Sequence, residues 1–376
     1  MRKICYVTGT RADFGLMQST LMSIHNHPEL SLGLLVTGMH LLPAYGETWR
    51  EIAGSGLSVD AKIPVSLTGE SGAEMACAVG EQVVSFTQVL DQNRPDLLLL
   101  LGDRGEMLAG AIAALYLNIP LVHIHGGELS GTVDESIRHA VSKLSHYHFT
   151  ATEKSRERLI RMGERPEHIM VTGAPGLDGI YQAELLAREP LFGRYGLDKT
   201  RPLLLVLFHP VVQQAGDASA QMQALLEVAI ESDMQTLVVM PNADAGGAEI
   251  VRVIRDYAHK GEIKTVIHLP RNDFLSLVAE AEVMVGNSSS GIIETASLGT
   301  PVVNIGDRQQ CRERNANVID VAPIKGDIAR GLTAAKEMKG QCWSNAYGEG
   351  KASERIVECL ATLSLDPKIL EKVNAY

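Results

Sequence analysis

The sequence predicts an α/β protein of two domains, each a parallel sheet wrapped by helices, with a cleft between them. Three observations carry that reading. The chain has 376 residues, too many for one ordinary core, because single domains cluster at about 100–200 residues. Short β-rich runs recur along it in two sets, and several are continuously apolar, as parallel strands covered on both faces read. Between the runs lie stretches whose apolar residues step by three and four, the spacing of one helix face.

Taken in order, the first set is Ile4–Val7, Leu32–Thr37, Leu97–Leu101, Leu121–His125, Tyr147–Thr150 and Ile169–Thr172. The second is Leu203–Phe208, Thr236–Met240, Thr265–Leu269, Val283–Val285, Pro301–Ile305 and Val318–Val321. Ala76, Val79, Val83, Phe86 and Leu90 give a helix stripe in the first half, and Met222, Leu225, Leu226, Ala229 and Ile230 one in the second; both read as core packing. Strands alternating with helices make βαβ units with right-handed crossovers. The charged stretch Glu184–Glu189, bracketed with Pro190 and Pro202, marks the division. Residues 1–184 are expected to form one Rossmann-like domain and 185–365 the other, about six strands each. No repeat of 20–50 residues is present, which excludes a solenoid.

Composition narrows the partners. Forty-five acidic against 34 basic residues leave a net charge of −11, which argues against a sequence-blind binder of nucleic acid. Aromatic residues at 5% are too few for base-stacking platforms or a membrane belt. Cysteines 5, 77, 311, 342 and 359 form no C-x-x-C, which argues against a disulfide framework or thiolate zinc and suits a reducing cytosol. No apolar stretch approaches the ~20 residues that cross a bilayer, and Gly9, Arg11 and Asp13 interrupt any leader-like run. A cytoplasmic protein without membrane partners is expected.

Ligands of open parallel sheets bind outside the carboxyl ends of the strands, and here those ends carry chemistry. They run into Thr8-Gly9-Thr10-Arg11-Ala12-Asp13, Gly102-Asp103-Arg104 and Gly126-Gly127-Glu128, with Asp134, Glu135 and Arg138 soon after. In the second half they meet His209-Pro210, Pro241-Asn242 and Gly286-Asn287-Ser288-Ser289-Ser290-Gly291. The last loop, opening a helix expected over Ile292–Leu298, offers backbone N–H groups and hydroxyls to a phosphate. Glu294 in that helix suits the helix dipole, or accepts the two hydroxyls of a ribose; spacing alone leaves both open. Neither G-x-G-x-x-G nor a P-loop occurs, which removes support for dinucleotide oxidoreductases and P-loop enzymes. There is no G-x-S-x-G elbow. His123, His125, His146 and His148 lack the partners of a metal site and read as packed histidines.

Together these motifs resemble the hydrolysing UDP-N-acetylglucosamine 2-epimerases of sialic acid biosynthesis. Ser136-Ile137-Arg138-His139, Pro241-Asn242-Ala243-Asp244-Ala245-Gly246 and Gly299-Thr300-Pro301-Val302 extend the match, which runs in order from residue 1 to about 360. Non-hydrolysing relatives usually carry Thr-Arg-Pro-Glu in the first loop and His-Arg-Arg-Glu in the second domain. This chain has Thr-Arg-Ala-Asp and His-Pro-Val.

The resemblance implies the GT-B arrangement, a final segment 366–376 crossing back onto the first domain, and a homodimer or homotetramer. It implies conversion of UDP-N-acetylglucosamine and water to N-acetylmannosamine and UDP through 2-acetamidoglucal, with no cofactor and no metal. Carried over by motif, Asp103 and Asp134 become the catalytic carboxylates, Glu128 and Glu135 nearby alternates, and His209 the donor beside the departing diphosphate. Arg11, Ser288 and Ser289 would hold the diphosphate, with Arg104 nearby. Asn242 and His268 would line the uridine end, Glu294 would take the ribose, and Arg308 would reach substrate from the last loop. One departure stands out. Where several members carry glutamate before Gly-Gly-Glu, this chain has His125, so either His125 is the acid–base group or Glu128 takes that role; Gly15 likewise replaces a side chain near phosphate. The alternative substrate is UDP-N,N′-diacetylbacillosamine, on the route to legionaminic acid. A GT-B glycosyltransferase and a non-catalytic nucleotide-sugar sensor are the readings from other classes.

Overall fold

The computed structural model describes residues 1–67, 71–181 and 183–375. Among the described residues, thirteen strands form two wholly parallel sheets. The first holds β1 (Arg2–Thr8), β2 (Leu30–Thr37), β3 (Val59–Ile63), β4 (Leu97–Leu101), β5 (Leu121–Ile124), β6 (Tyr147–Thr150) and β7 (Ile169–Val171), in the order β3-β2-β1-β4-β5-β6-β7. The second holds β8 (Leu203–Leu207), β9 (Gln235–Val239), β10 (Lys264–Val266), β11 (Val283–Gly286), β12 (Val302–Ile305) and β13 (Val318–Val321), in the order β10-β9-β8-β11-β12-β13. Successive residues point to opposite faces of a strand, so each sheet feeds two cores. Ile4 and Tyr6 pack on one face of the first sheet and Cys5 and Val7 on the other. Leu204 and Val206 are divided from Leu203 and Leu205 in the same way. Among the described residues no helix is long and apolar enough to cross a membrane.

The differences from expectation have local causes. β3 is the seventh strand of the first sheet, where about six were expected. It is a short edge strand, Val-Asp-Ala-Lys-Ile, with Asp60 exposed, so it carries no apolar run to announce it. β5 stops at Ile124 because His125 turns the chain at φ +63°. In the helix Gly72–Asn93 the buried stripe is Ala78, Gln82, Phe86 and Leu90, and Ala76 faces outward. The helix after β11 covers only Ser289–Ile293, followed by a 3-10 turn Thr295–Leu298; Thr295 Oγ1 donates to the Gly291 carbonyl at 2.7 Å as the chain tightens.

The return to the first domain also comes earlier than 366. The helix Ala352–Thr362 sets Ile356, Val357 and Leu360 into the core beside Leu21 and Ile24. Asp178 accepts the Ala352 N–H at 2.8 Å, and Arg2 donates to the Leu363 carbonyl at 2.8 Å, so both ends are tied. Beyond it, where a helix over 366–376 is expected, residues 366–375 hold a single 3-10 turn, Pro367–Leu370, and residue 376 lies outside the described residues.

Two loops show why the strand ends take their shape. Thr10 caps the helix Arg11–His25 in a capping box, and the buried Asp13 carboxylate accepts the N–H groups of Gly9 at 3.0 Å and Thr10 at 2.7 Å. At the end of β11, Gly286 has φ +142°, and a Cβ there would stand 1.9 Å from the Leu207 carbonyl oxygen. Only glycine lets β11 end this close to β8. Gly286→Ala is therefore expected to destabilise the protein by about 2–4 kcal/mol, through backbone strain and displacement of the neighbouring strand. Urea unfolding checks it; a loss under about 0.5 kcal/mol, the size of an ordinary surface change, contradicts it.

Candidate active site

The site is built where the carboxyl ends of the two sheets meet. β4 runs into Gly102 (φ +80°), which turns the chain and delivers Asp103. Thr132 caps the helix Val133–Leu144, whose first turn carries Asp134; Arg138 lies four residues on, on the same face. Arg138 is 1% exposed. Its Nη2 donates to Asp103 Oδ2, its Nη1 donates to the His125 carbonyl at 2.8 Å, and Glu128 Oε2 lies 3.8 Å away. A non-glycine residue at positive φ stores about 1–3 kcal/mol of strain. At His125 it is held by the Arg138 bond and by the His125 N–H, which donates to the Phe149 carbonyl at 3.0 Å.

His125 Nδ1 is hydrogen-bonded to Glu128 Oε1, and its Nε2 has no protein partner among the described residues. Burial alone would raise the Glu128 carboxyl pKa, but His125, Arg312 and Arg138 outweigh it and hold the group well below the usual carboxylate range. Arg312 comes from the second domain, in the loop after β12, and its Nη2 stands 3.3 Å from Glu128 Oε2. Asp134 behaves oppositely. Burial, then the charge of Asp103, raise its pKa, although Arg308 Nη2 lies 3.6 Å from its Oδ2. Two acidic groups in one site, one held ionised and one pushed toward the neutral form, are the environment that acid–base chemistry needs.

Across the cleft, Asn287 fixes His209. The His209 N–H donates to Asn287 Oδ1 at 2.7 Å, and Asn287 Nδ2 donates back to the His209 carbonyl at 2.8 Å. The Asn242 N–H points to His209 Nδ1 at 3.3 Å. That bond places the proton of a neutral ring on Nε2, making it a donor. Burial, followed by the charge of Arg308, lowers the His209 pKa to about 3, so the ring is neutral at pH 7. Arg308 Nη1 donates to the Asn287 carbonyl at 3.1 Å. Arg104 bridges the domains, donating from Nε to Glu106 at 3.1 Å and from Nη2 to Asp244 at 3.0 Å.

Farther along, Arg11 and His268 converge on Glu51, at 3.1 and 3.3 Å. Arg271 donates to the Gly176 carbonyl at 2.7 Å and to Glu294 Oε1. Glu294 Oε2 is buried and has no hydrogen-bond partner among the described residues. A buried acceptor left open in this way suits a donor from a ligand. Ser288 caps the helix Ser289–Ile293 without a side-chain hydrogen bond.

The residues singled out from sequence thus fall into three linked groups. Asp103, Arg104, His125, Glu128 and Asp134 gather on the first-domain wall, and His209, Asn242 and Arg308 face them from the second domain, with Arg308 beside Asp134 and Arg104 reaching Asp244. Arg11 and His268 meet at Glu51, and Ser288, Ser289 and Glu294 lie on or flank the helix Ser289–Ile293. Glu135 is turned away, accepting the N–H groups of Ser130 at 2.8 Å and Gly131 at 2.7 Å. His123 is a packed histidine, bonded to Ser142 at 2.9 Å and to the Gly102 carbonyl at 2.8 Å. Sequence reasoning missed Arg312, Arg271, Glu51 and the clamp made by Asn287. Asn287 stood inside a motif already singled out; the other three sit at positions that no spacing rule marks.

Known proteins agree with this architecture. The profile of the family described as UDP-N-acetylglucosamine 2-epimerase matches residues 22–361. A UDP-N,N′-diacetylbacillosamine 2-epimerase (hydrolyzing) from Legionella pneumophila is 49% identical over 376 residues, covering 100% of both chains. A UDP-N-acetylglucosamine 2-epimerase from Neisseria meningitidis serogroup B is 37% identical over 320 residues, 85% of this chain and 83% of that one. Among solved structures, the UDP-GlcNAc 2-epimerase from Neisseria meningitidis bound to UDP-GlcNAc superposes with a TM-score of 0.80 at 20% identity, covering 95% of this chain and 99% of that chain; at that identity the likeness is one of fold. With a matching profile over most of its length and a relative that matches it from end to end, the chain belongs to the UDP-N-acetylglucosamine 2-epimerase family.

Proposed function

We propose that the protein is a hydrolysing 2-epimerase of UDP-N,N′-diacetylbacillosamine, releasing UDP and the free 2-epimeric sugar. The observation that carries this choice of sugar is the 49% identity, without truncation on either side, to a relative of that name. It reverses the order of the two substrates in the sequence reading. UDP-N-acetylglucosamine is the second reading, favoured by the 37% identical Neisseria relative.

The chemistry is common to both. The hydrogen on C2 is not acidic in the ground state. As the C1–O bond to UDP breaks, positive charge grows at C1 and a base can take the C2 proton, leaving a C1–C2 double bond and free UDP. Water then adds its hydroxyl to C1 while C2 is reprotonated on the opposite face. Asp103 and the His125–Glu128 pair supply bases on the first-domain wall. Asp134, with its raised pKa, supplies an acid. His209 Nε2–H donates to the departing diphosphate, which Arg11, Ser288 and Ser289 hold while Glu294 takes the ribose hydroxyls. Arg104, Asn242, His268 and Arg308 complete the nucleotide and substrate contacts. The bridges Arg104–Asp244 and Arg312–Glu128 keep the domains together around the glycal and limit its exposure to water.

The test is proton NMR in D2O with each UDP-sugar in turn. The diacetylbacillosamine derivative is expected to be consumed with UDP release and deuterium at C2, at least about tenfold faster in kcat/KM than UDP-N-acetylglucosamine, equivalent to ~1.4 kcal/mol of discrimination. The reverse preference moves the assignment to the second reading. UDP-sugar epimerised without UDP release overturns the hydrolysing reaction itself.

A further inference from the structure

Arg312 stands apart from the other arginines of the site. Its side chain is 7% exposed, and it enters from the second domain. Its Nη2 lies 3.3 Å from Glu128 Oε2 and 3.8 Å from Asp103 Oδ2, while its Nε and Nη1 have no hydrogen-bond partner among the described residues. A buried arginine kept for packing normally satisfies its N–H groups on carbonyls, as Arg138 does on His125. Arg312 makes no such bond, so what it contributes to this wall is charge. Without it, Asp103 and Glu128 face one guanidinium, that of Arg138, and one negative charge in a buried site is left to be neutralised by a proton. The nearest place to hold that proton is the hydrogen bond between His125 and Glu128.

We propose that Arg312 is a positioning residue: reaching across from the second domain, it balances the charge of Glu128 and so leaves the His125 imidazole free to accept a proton from substrate. This deepens the reading above and rests on it. The remaining groups around the pair come from every packed element. They are Asp103 after β4, His123 on β5, Asp134 and Arg138 on the helix Val133–Leu144, Arg158 on the helix Glu153–Arg161, and Tyr347 before the final helix. Of the cations among them, Arg138 is shared with Asp103 and Arg158 donates to the Gly127 carbonyl. Neither replaces Arg312.

The sign of the effect is fixed. Removing a positive charge makes the His125–Glu128 pair hold its proton to higher pH. In Arg312→Gln the acid limb of kcat/KM is expected to move up by about one pH unit, with activity recovering as the pH is raised. Arg312→Lys, which keeps the charge, is expected to restore the limb to within about 0.3 unit. A uniform loss across pH that lysine does not rescue overturns the proposal and leaves Arg312 a structural residue. A second measurement needs no substrate. In protein carrying 13C-labelled histidine, the signal missing from His125→Asn is followed against pH, and its midpoint is expected to rise in Arg312→Gln; an unmoved midpoint overturns the proposal. If Arg312→Gln does not fold, the same titration of Arg312→Lys decides, an unmoved midpoint supporting the charge role and a shift of a full unit overturning it. Failure here leaves the hydrolysing reaction standing on UDP release, so the two readings fall separately.

Discussion

Asp103→Asn is expected to lower kcat by about 10²- to 10⁴-fold, the range for losing a positioned acid or base, while UDP affinity stays within about twofold. Asp103 is 20% exposed where Glu128 is 3% exposed, so it is the more open of the two carboxylates to a bound sugar. The Arg138 guanidinium holds Oδ2 in place. Asparagine keeps that shape and removes the charge that the proposed reaction uses to draw the C2 proton. The change leaves part of the Arg138 charge unbalanced, so a thermal melt must accompany the kinetics. Steady-state UDP release, with UDP binding by calorimetry, separates chemistry from affinity. Turnover within a factor of three of the parent would remove Asp103 from the mechanism and with it the motif-based assignment of the first-domain wall.

What was legible in the sequence depended on the kind of signal each residue left. Leu97–Leu101 and Leu203–Leu207 announce buried parallel strands because both faces are covered and every position is apolar. The edge strand Val59–Ile63 announces nothing, since Asp60 and Lys62 face solvent and its register is fixed by β2. The final helix was readable in principle from Ala352, Ile356, Val357 and Leu360; its position was mistaken because the destination of an amphipathic face is a tertiary fact. The same division runs through the site. Asp103, Asp134, His209 and Ser288 follow strand ends or open helices, where chain geometry itself nominates them. Arg312 is brought in by the approach of the other domain, and Glu51 by a separate helix that meets Arg11 and His268; neither leaves a periodicity in its segment. His125 lies between: its place was legible, but its turn to positive φ and its bond to Glu128 were not.

That bond governs the second large effect. His125→Asn is expected to lower kcat by about 10²- to 10⁴-fold and to change stability by less than about 1 kcal/mol, since asparagine accepts the left-handed backbone conformation more readily than most residues. The substitution is chosen because it separates three properties that alanine would remove together. Asparagine tolerates φ +63°, offers Nδ2 as a donor to the buried Glu128 carboxylate, and has no basic nitrogen to take a proton. If turnover collapses while the urea midpoint holds, proton transfer belongs to the imidazole and Glu128 orients it, as a carboxylate orients histidine in other acid–base sites. If turnover persists, His125 serves only to keep Glu128 paired. The C2 proton then falls to Asp103, the more exposed carboxylate on that wall, because Glu128, buried between His125, Arg138 and Arg312, is too strongly stabilised as an anion to be an effective base.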